Sequence, residues 1–177
     1  MKKLFSLMFV MLAIIMPMKL WAQEPYAVLT TDSATILSQD STGVTYGKTL
    51  TFYYDNQRTA RNGMSVGPFF GYPDDYPAWH SSAGSITQAV FDVSFANCSS
   101  ITSTAYWFYE CSKLSPIEGI ENLKTDSVTT MGSMFESCSG LTTLDVSYFN
   151  TANVTEMWAM FKGCSSLTSL DVSHFNR

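Results

Sequence analysis

Charge is scarce in this chain, and histidine scarcer. Of 177 residues only 14% are charged and two are histidine, His80 and His174. Ten basic residues stand against fifteen acidic ones, net −5, with no run of like charge. A surface that grips nucleic acid by neutralising phosphates is therefore not expected. No C-x-x-C occurs and the two histidines lie far apart in sequence, which argues against a metal centre. H-E-x-x-H, the P-loop, the dinucleotide glycine motif and the EF-hand loop are absent as well, so no cofactor is expected. What is present is 46% apolar and 14% aromatic residues at a mean hydropathy of +0.05. That composition builds a core rather than a disordered tail, with one domain as the default.

The N-terminus carries an address. Lys2 and Lys3 precede an apolar run of about fourteen residues ending at Pro17, and Ala22 precedes Gln23-Glu24-Pro25. This is a basic region, an apolar region and a cleavage site, read as a signal peptide over residues 1–22. Pro17 and Lys19 cut the run short of the ~20 residues a membrane span needs, and no later segment resembles a second span. The chain is expected to be exported to the cell surface, the medium or the periplasm, without a transmembrane segment after cleavage. Losing Lys2, Lys3 and Lys19 leaves seven basic and fifteen acidic groups, net −8 over 155 residues.

Self-similarity dominates the rest. Residues 125–150, TDSVTTMGSMFESCSGLTTLDVSYFN, align without a gap on 151–176, TANVTEMWAMFKGCSSLTSLDVSHFN, at a period of 26. An earlier copy runs through Ile101, Trp107, Phe108, Cys111, Leu114 and Ile117 at an offset of 27, and Phe91-Asp92-Val93-Ser94 resembles the strand part of a still earlier one. Val154, Met157, Met160, Phe161 and Cys164 fall at i, i+3, i+6, i+7 and i+10, which predicts one face of a short helix. Asn153 with Glu156 resembles a capping box at its start. Leu167, Leu170 and Val172 follow L-x-x-L-x-L spacing, which predicts a short strand. The expected fold class is thus an α/β repeat, a leucine-rich-repeat solenoid of helix plus strand behind a small β-rich N-terminal cap. The expected domains are a signal peptide (1–22), a β-rich leader and cap (23–97) and about three repeats (98–177) with an uncapped C-terminal end.

The pattern N-V-T-x-M-x-x-M-F-x-x-C-S-x-L-T-x-L-D-V-S-x-F-N resembles the repeat of BspA-like leucine-rich repeat surface proteins of bacteria. The likeness covers about residues 98–177, and residues 26–97 resemble the non-repeat leader found before such arrays. It implies an exported surface or secreted protein whose repeat sheet serves adhesion or protein binding, with a protein or glycan ligand at a cell surface. No catalytic residue carries over, because the motif is structural.

Cys111, Cys138 and Cys164 share one register, where a small apolar residue fills the core. Free buried thiols are the expectation, with a Cys98–Cys111 disulfide left open. In the leader, 26–29 and 49–54 have strand composition and suggest a hairpin-like pair. Residues 61–85 are rich in Gly and Pro, with Trp79, Phe and Tyr as packing anchors. Gly63-Met64-Ser65-Val66-Gly67 satisfies G-x-S-x-G, the nucleophile-elbow pattern of a serine hydrolase. Gly71 and Pro73 oppose the helix an elbow needs, and His80 lies only fifteen residues on. A chance match in a loop is the preferred reading, and the protein is expected not to be an enzyme.

In an L-x-x-L-x-L strand the residues between the apolar ones face outward. Thr143, Asp145 and Ser147 in one repeat and Ser169, Asp171 and Ser173 in the next therefore form a polar strip. It is either a candidate ligand face or merely a solvated one. Trp158 stands where the preceding copy has Gly132, as a contact anchor or as packing against the neighbouring repeat. The last core, with Met160, Phe161, Leu167 and Leu170, is open on one side: either the chain is a piece of a longer array, or it self-associates there.

Overall fold

The computed structural model describes residues 22–71 and 74–176. The signal peptide lies outside the described residues, except Ala22. Strands β1 (Glu24–Asp40), β2 (Gly43–Asp55), β3 (Ile86–Phe91) and β4 (Ile117–Glu118) form one sheet in that order. β1 and β2 pair antiparallel, with Tyr26 opposite Tyr53 and Leu29 opposite Leu50. β2–β3 and β3–β4 pair parallel. Aromatic and β-branched residues suit such half-buried strands. The far end of the β1–β2 hairpin stands in solvent, with Ile36 and Val44 exposed.

Phe52 on β2 centres the leader's core. Its ring stacks on Phe91 at 4.5 Å and on Trp107 at 4.9 Å, and meets Trp79, Phe95 and Phe108 edge-on. Each such pair adds roughly 0.5–1.5 kcal/mol beyond area burial. Two buried indoles are also satisfied here. Trp79 Nε1 donates to Trp107 O at 2.7 Å and Trp107 Nε1 donates to Val66 O at 2.9 Å. The leader is thereby bolted to the start of the repeats.

The repeat itself corrects the sequence-based expectation of a helix-plus-strand, leucine-rich solenoid. Among the described residues the only helical segments are three 3-10 turns, His80–Ser85, Val93–Asn97 and Ile120–Asn122, and none lies at the predicted helix positions. Residues 101–114, 128–141 and 154–167 form three coils built from successive turns. Met134 N donates to Met131 O, Glu136 N to Ser133 O, and Cys138 N to Phe135 O. A left-handed residue recurs every fourth position: Tyr106 and Glu110, Ser133 and Ser137, Ala159 and Gly163. Such residues cannot belong to a right-handed helix, whereas the third position of a type II turn asks for them. Serine and glycine at several of these positions also make poor helix formers. The predicted strand fails too. Ile117–Glu118 occupies the first copy's position in the sheet, but Leu144 and Leu170, its equivalents, lie outside any strand.

The N–H groups that do not close turns go to the next coil. Thr104, Tyr106, Phe108 and Glu110 donate to the carbonyls of Thr130, Gly132, Met134 and Glu136. Met131, Ser133, Phe135 and Ser137 likewise donate to Glu156, Trp158, Met160 and Lys162. Local and inter-coil bonds thus alternate along the chain. Side chains repeat the arrangement. Phe108 stacks on Phe135 at 5.4 Å and Phe135 on Phe161 at 5.8 Å, both nearly parallel. Cys138 Sγ donates to Phe108 O and Cys164 Sγ to Phe135 O, at 3.0 and 3.1 Å. All four cysteines are free, Cys98 and Cys111 included.

Candidate functional site

The six residues of the predicted polar strip are all exposed. They sit on irregular chain rather than on an open sheet face, so side-chain alternation does not align them. The Asp145 carboxylate accepts from Ser147 N and the Asp171 carboxylate from Ser173 N, each at 2.9 Å. Asp92 does the same for Ser94 N at the cap of the Val93–Asn97 turn. The recurring D-x-S is therefore an Asx turn that redirects the chain. Hydrogen bonds from Ser147 and from Ser173 hold these two carboxyls below the usual carboxylate range. Three of the six do converge. Thr143, Asp145 and Ser169 line a groove of about 350 Å³ with Ile117, Ile120 and Leu144, whereas Ser147, Asp171 and Ser173 lie outside it.

A second concavity, about 530 Å³, opens at the exposed end of the third coil. Met157, Ala159, Met160, Phe161, Leu170, Val172 and Phe175 line it, with Lys162 and Asn176 at its edge. One coil earlier the equivalent Met131, Met134, Phe135, Val146 and Phe149 are at most 2% exposed. In the third coil Val172 reaches 40%, and Met157, Phe161, Leu170 and Phe175 are half-buried. Sequence reasoning found Met160, Phe161 and Leu170 here, whereas Leu167, expected with them, is half-buried and outside the lining. It missed Met157, Val172 and Phe175, which the 26-residue alignment with Met131, Val146 and Phe149 could have supplied.

Other sequence candidates have structural partners. Trp158 lies on Gly132, whose added Cβ would come within 2.6 Å of the indole, and it meets the Tyr106 ring edge-on at 5.6 Å. Glycine in one copy thus makes room for tryptophan in the next. Trp158 is nonetheless 50% exposed. Ser65 Oγ accepts from Gly67 N, and among the described residues no helical segment begins before His80. His80 packs in a cluster with the Tyr76 and Tyr109 rings, which also meet each other, and its Nε2 lies 3.4 Å from Glu110. His174 Nε2 contacts Val146 O at 3.0 Å. Neither histidine is bonded to Ser65, so the elbow context is not formed. Among the described residues no cluster of His, Cys, Asp and Glu is arranged to hold a metal, and no helix is long and apolar enough to cross a membrane.

Coulomb and solvation effects at the coils are local. Burial, helped by the Glu110 charge, pushes the Cys111 thiol up to about 12, and burial raises Cys138 and Cys164 as well. Such thiols are poor nucleophiles. Burial also pushes the Glu136 carboxyl up, but hydrogen bonds from Lys162 and Ser133 outweigh it and leave it below its ordinary value. Lys162 Nζ lies 2.8 Å from Glu136, tying the third coil to the second.

A stack of turn-built coils behind a sheet-bearing leader defines a repeat protein. Residues 80–177, more than half of the chain, match the model of the family described as Mycoplasma protein of unknown function, DUF285, and the chain belongs to that family. The match begins at the first 3-10 turn, so it takes in β3 and the Asp92 turn together with the three coils. No curated protein and no solved structure matches the chain.

Proposed function

We propose that this is an exported, non-catalytic binding protein of BspA-like type, acting at the cell surface or beyond it by holding another macromolecule. The observation that carries the reading is the 530 Å³ apolar groove on the third coil. Large apolar concavities rimmed by polar groups mark protein-binding surfaces, and methionine lets such a surface adapt to its occupant. The groove's composition favours a protein ligand over a glycan. The export signal and the surface-protein repeat pattern support the same role.

Binding of the chain from Gln23 onward to a panel of extracellular matrix proteins and whole cells tests it. Saturable binding that drops at least tenfold in Val172→Asp is expected, since Val172 lines the groove and is 40% exposed in the free chain. A carboxylate there would be desolvated on docking, at a cost well above the ~1.4 kcal/mol that tenfold represents. Binding that is absent, or indifferent to Val172→Asp, would remove the proposal.

A further inference from the structure

We infer that a cluster of aromatic rings on the flank of the first coil, edged by the Glu110 carboxylate, is a glycan-binding platform for neutral chains of glucose-type pyranose units. It is a second site, separate from the apolar groove of the third coil, and it takes a different class of ligand.

The repeat supplies its own control. Positions that serve only the stack should keep their character from copy to copy, and Phe108, Phe135 and Phe161 do. Tyr106, Tyr109 and Glu110 do not: the second coil has Ser133, Glu136 and Ser137 in their places, and the third has Ala159, Lys162 and Gly163. Two of these exceptions stand on costly backbone. Tyr106 at φ 63° and Glu110 at φ 60° are left-handed, a conformation that disfavours side chains of their size. Bulky groups held where the other coils have serine, alanine and glycine point to a use for what they present.

Those side chains meet the leader at the surface. Tyr109 stacks with Tyr76 at 5.6 Å and with His80 at 5.5 Å, while buried Tyr106 meets Tyr76, Tyr109 and Trp158 edge-on at 5.2, 5.7 and 5.6 Å. Tyr76, His80 and Tyr109 are half-buried, Trp158 is 50% exposed, and so is about half of the Glu110 side chain. Fastening the leader to the coils is already done by the fully buried Trp79 and Trp107. The platform lies on the flank of the stack. Trp158 leans back across Gly132 to Tyr106, and a residue leaning as far from a following coil would end at the second, short of Tyr76, Tyr109 and Glu110.

The chemistry of the cluster selects the ligand. Tyr76 and Tyr109 lie 12° from parallel and cover one another, so they tile a surface rather than enclose the void that cages an ammonium group. A tiled aromatic surface suits a pyranose whose hydroxyls are all equatorial, because its two C–H faces are flat and apolar while its rim is polar. Glu110 accepts from that rim, and bonds to an ionised acceptor are the stronger ones. Burial and a hydrogen bond to Glu110 push the Tyr109 phenol up to about 12, so it stays a neutral group beside the carboxylate. Glu136 adds a second negative charge near both Tyr106 and Tyr109, and the adjacent Lys162 is engaged by it at 2.8 Å. Sugars bearing carboxylate or sulfate are repelled there.

The test titrates the chain from Gln23 onward, by calorimetry, with cellopentaose, chitopentaose, a galacturonic acid pentamer and pentalysine. Saturable binding of at least one of the first two is expected, and none of the last two. Trp79 and Trp107 are buried, so sugar binding should also shift tryptophan emission through Trp158. Affinity for the sugar should fall about tenfold in Tyr109→Ala, one aromatic face's worth. In Glu110→Gln, which keeps the shape and reads the same site if Tyr109→Ala does not fold, it should fall about fivefold. No binding of either neutral sugar, equal binding of the galacturonic acid pentamer, binding of pentalysine alone, or full sugar affinity in Glu110→Gln would each overturn the inference. Matrix-protein binding that is lost in Val172→Asp, with no response to either neutral sugar, would leave the role of the groove standing and remove only the platform.

Discussion

Individual residues of the repeat do several tasks at once. Cys138 fills a core position, donates its thiol proton to the coil before it and is kept protonated by burial. Its thiol, and that of Cys111, should resist alkylation at pH 8 in the folded chain, with half-buried Cys164 labelled first and all four after denaturation. Mass spectrometry of timed iodoacetamide reactions reads this order; labelling of Cys138 ahead of Cys164 would contradict it. Gly132 and Trp158 form a matched pair. Gly132→Ala should displace the indole and red-shift its fluorescence at a cost of about 1 kcal/mol, while in a Trp158→Ala background the same change should cost little. The shared register of the cysteines was legible from the alignment, as was the choice between anchor and packing at Trp158. That the choice resolves as packing with half of the ring still exposed was not, because it depends on how far apart two coils lie.

At the scale of elements, the helix was misread for an identifiable reason. A chain of turns closed by i→i−3 bonds places apolar residues at spacings of three and four, as a helix does, so Met131, Met134, Phe135 and Cys138 satisfy both. The distinction lies in backbone sign, at Ser133 and Ser137, and serine at a left-handed position leaves little trace in hydrophobic periodicity. The strand was misread because only Ile117–Glu118 has a partner, β3, that side-chain pattern cannot reveal. The antiparallel pairing of 26–29 with 50–53, by contrast, falls within the segments 26–29 and 49–54 and follows their strand composition directly. Amide exchange discriminates coils from helices: Met131, Ser133, Phe135 and Ser137 should be protected, and Met157, Ala159, Phe161 and Gly163 should exchange fast in the free chain. The Glu136–Lys162 pair adds a pH signature. The folded carboxyl lies below its ordinary value of 4.5, so its contribution is full above that pH and is lost as pH falls through the folded value. Chemical denaturation from pH 7 to 3 should show less acid loss in Glu136→Gln than in the parent; an equal loss would place the titration elsewhere.

For the whole molecule, the coils form a stack in which backbone bonds join each unit to its neighbours and Trp158 alone reaches across Gly132 to Tyr106, with one core running from the leader through the coils. Phe135 is the mid-stack ring, flanked by Phe108 and Phe161, and Phe135→Ala should destabilise by about 3–5 kcal/mol, the usual cost of emptying an aromatic core site. Phe161→Ala should cost much less, since Phe161 is half-buried. Urea unfolding of the two variants compares them directly. The open apolar end was legible as pattern in Met160, Phe161 and Leu170; its forward-pointing N–H groups were not, since their direction resides in backbone geometry that no side chain encodes.

That alternation of local and forward-pointing bonds also orders events in time. A coil leaving the ribosome can close its own turns at once, but its forward N–H groups stay with water until the following coil has been made. Structure therefore propagates from the leader outward, in the direction of synthesis, and each new coil completes the one before it. Because the Trp79 and Trp107 indoles fasten the first coil to a core that is translated before the repeats, a nascent chain halted anywhere in the array would hold a finished structure behind a single unfinished rung.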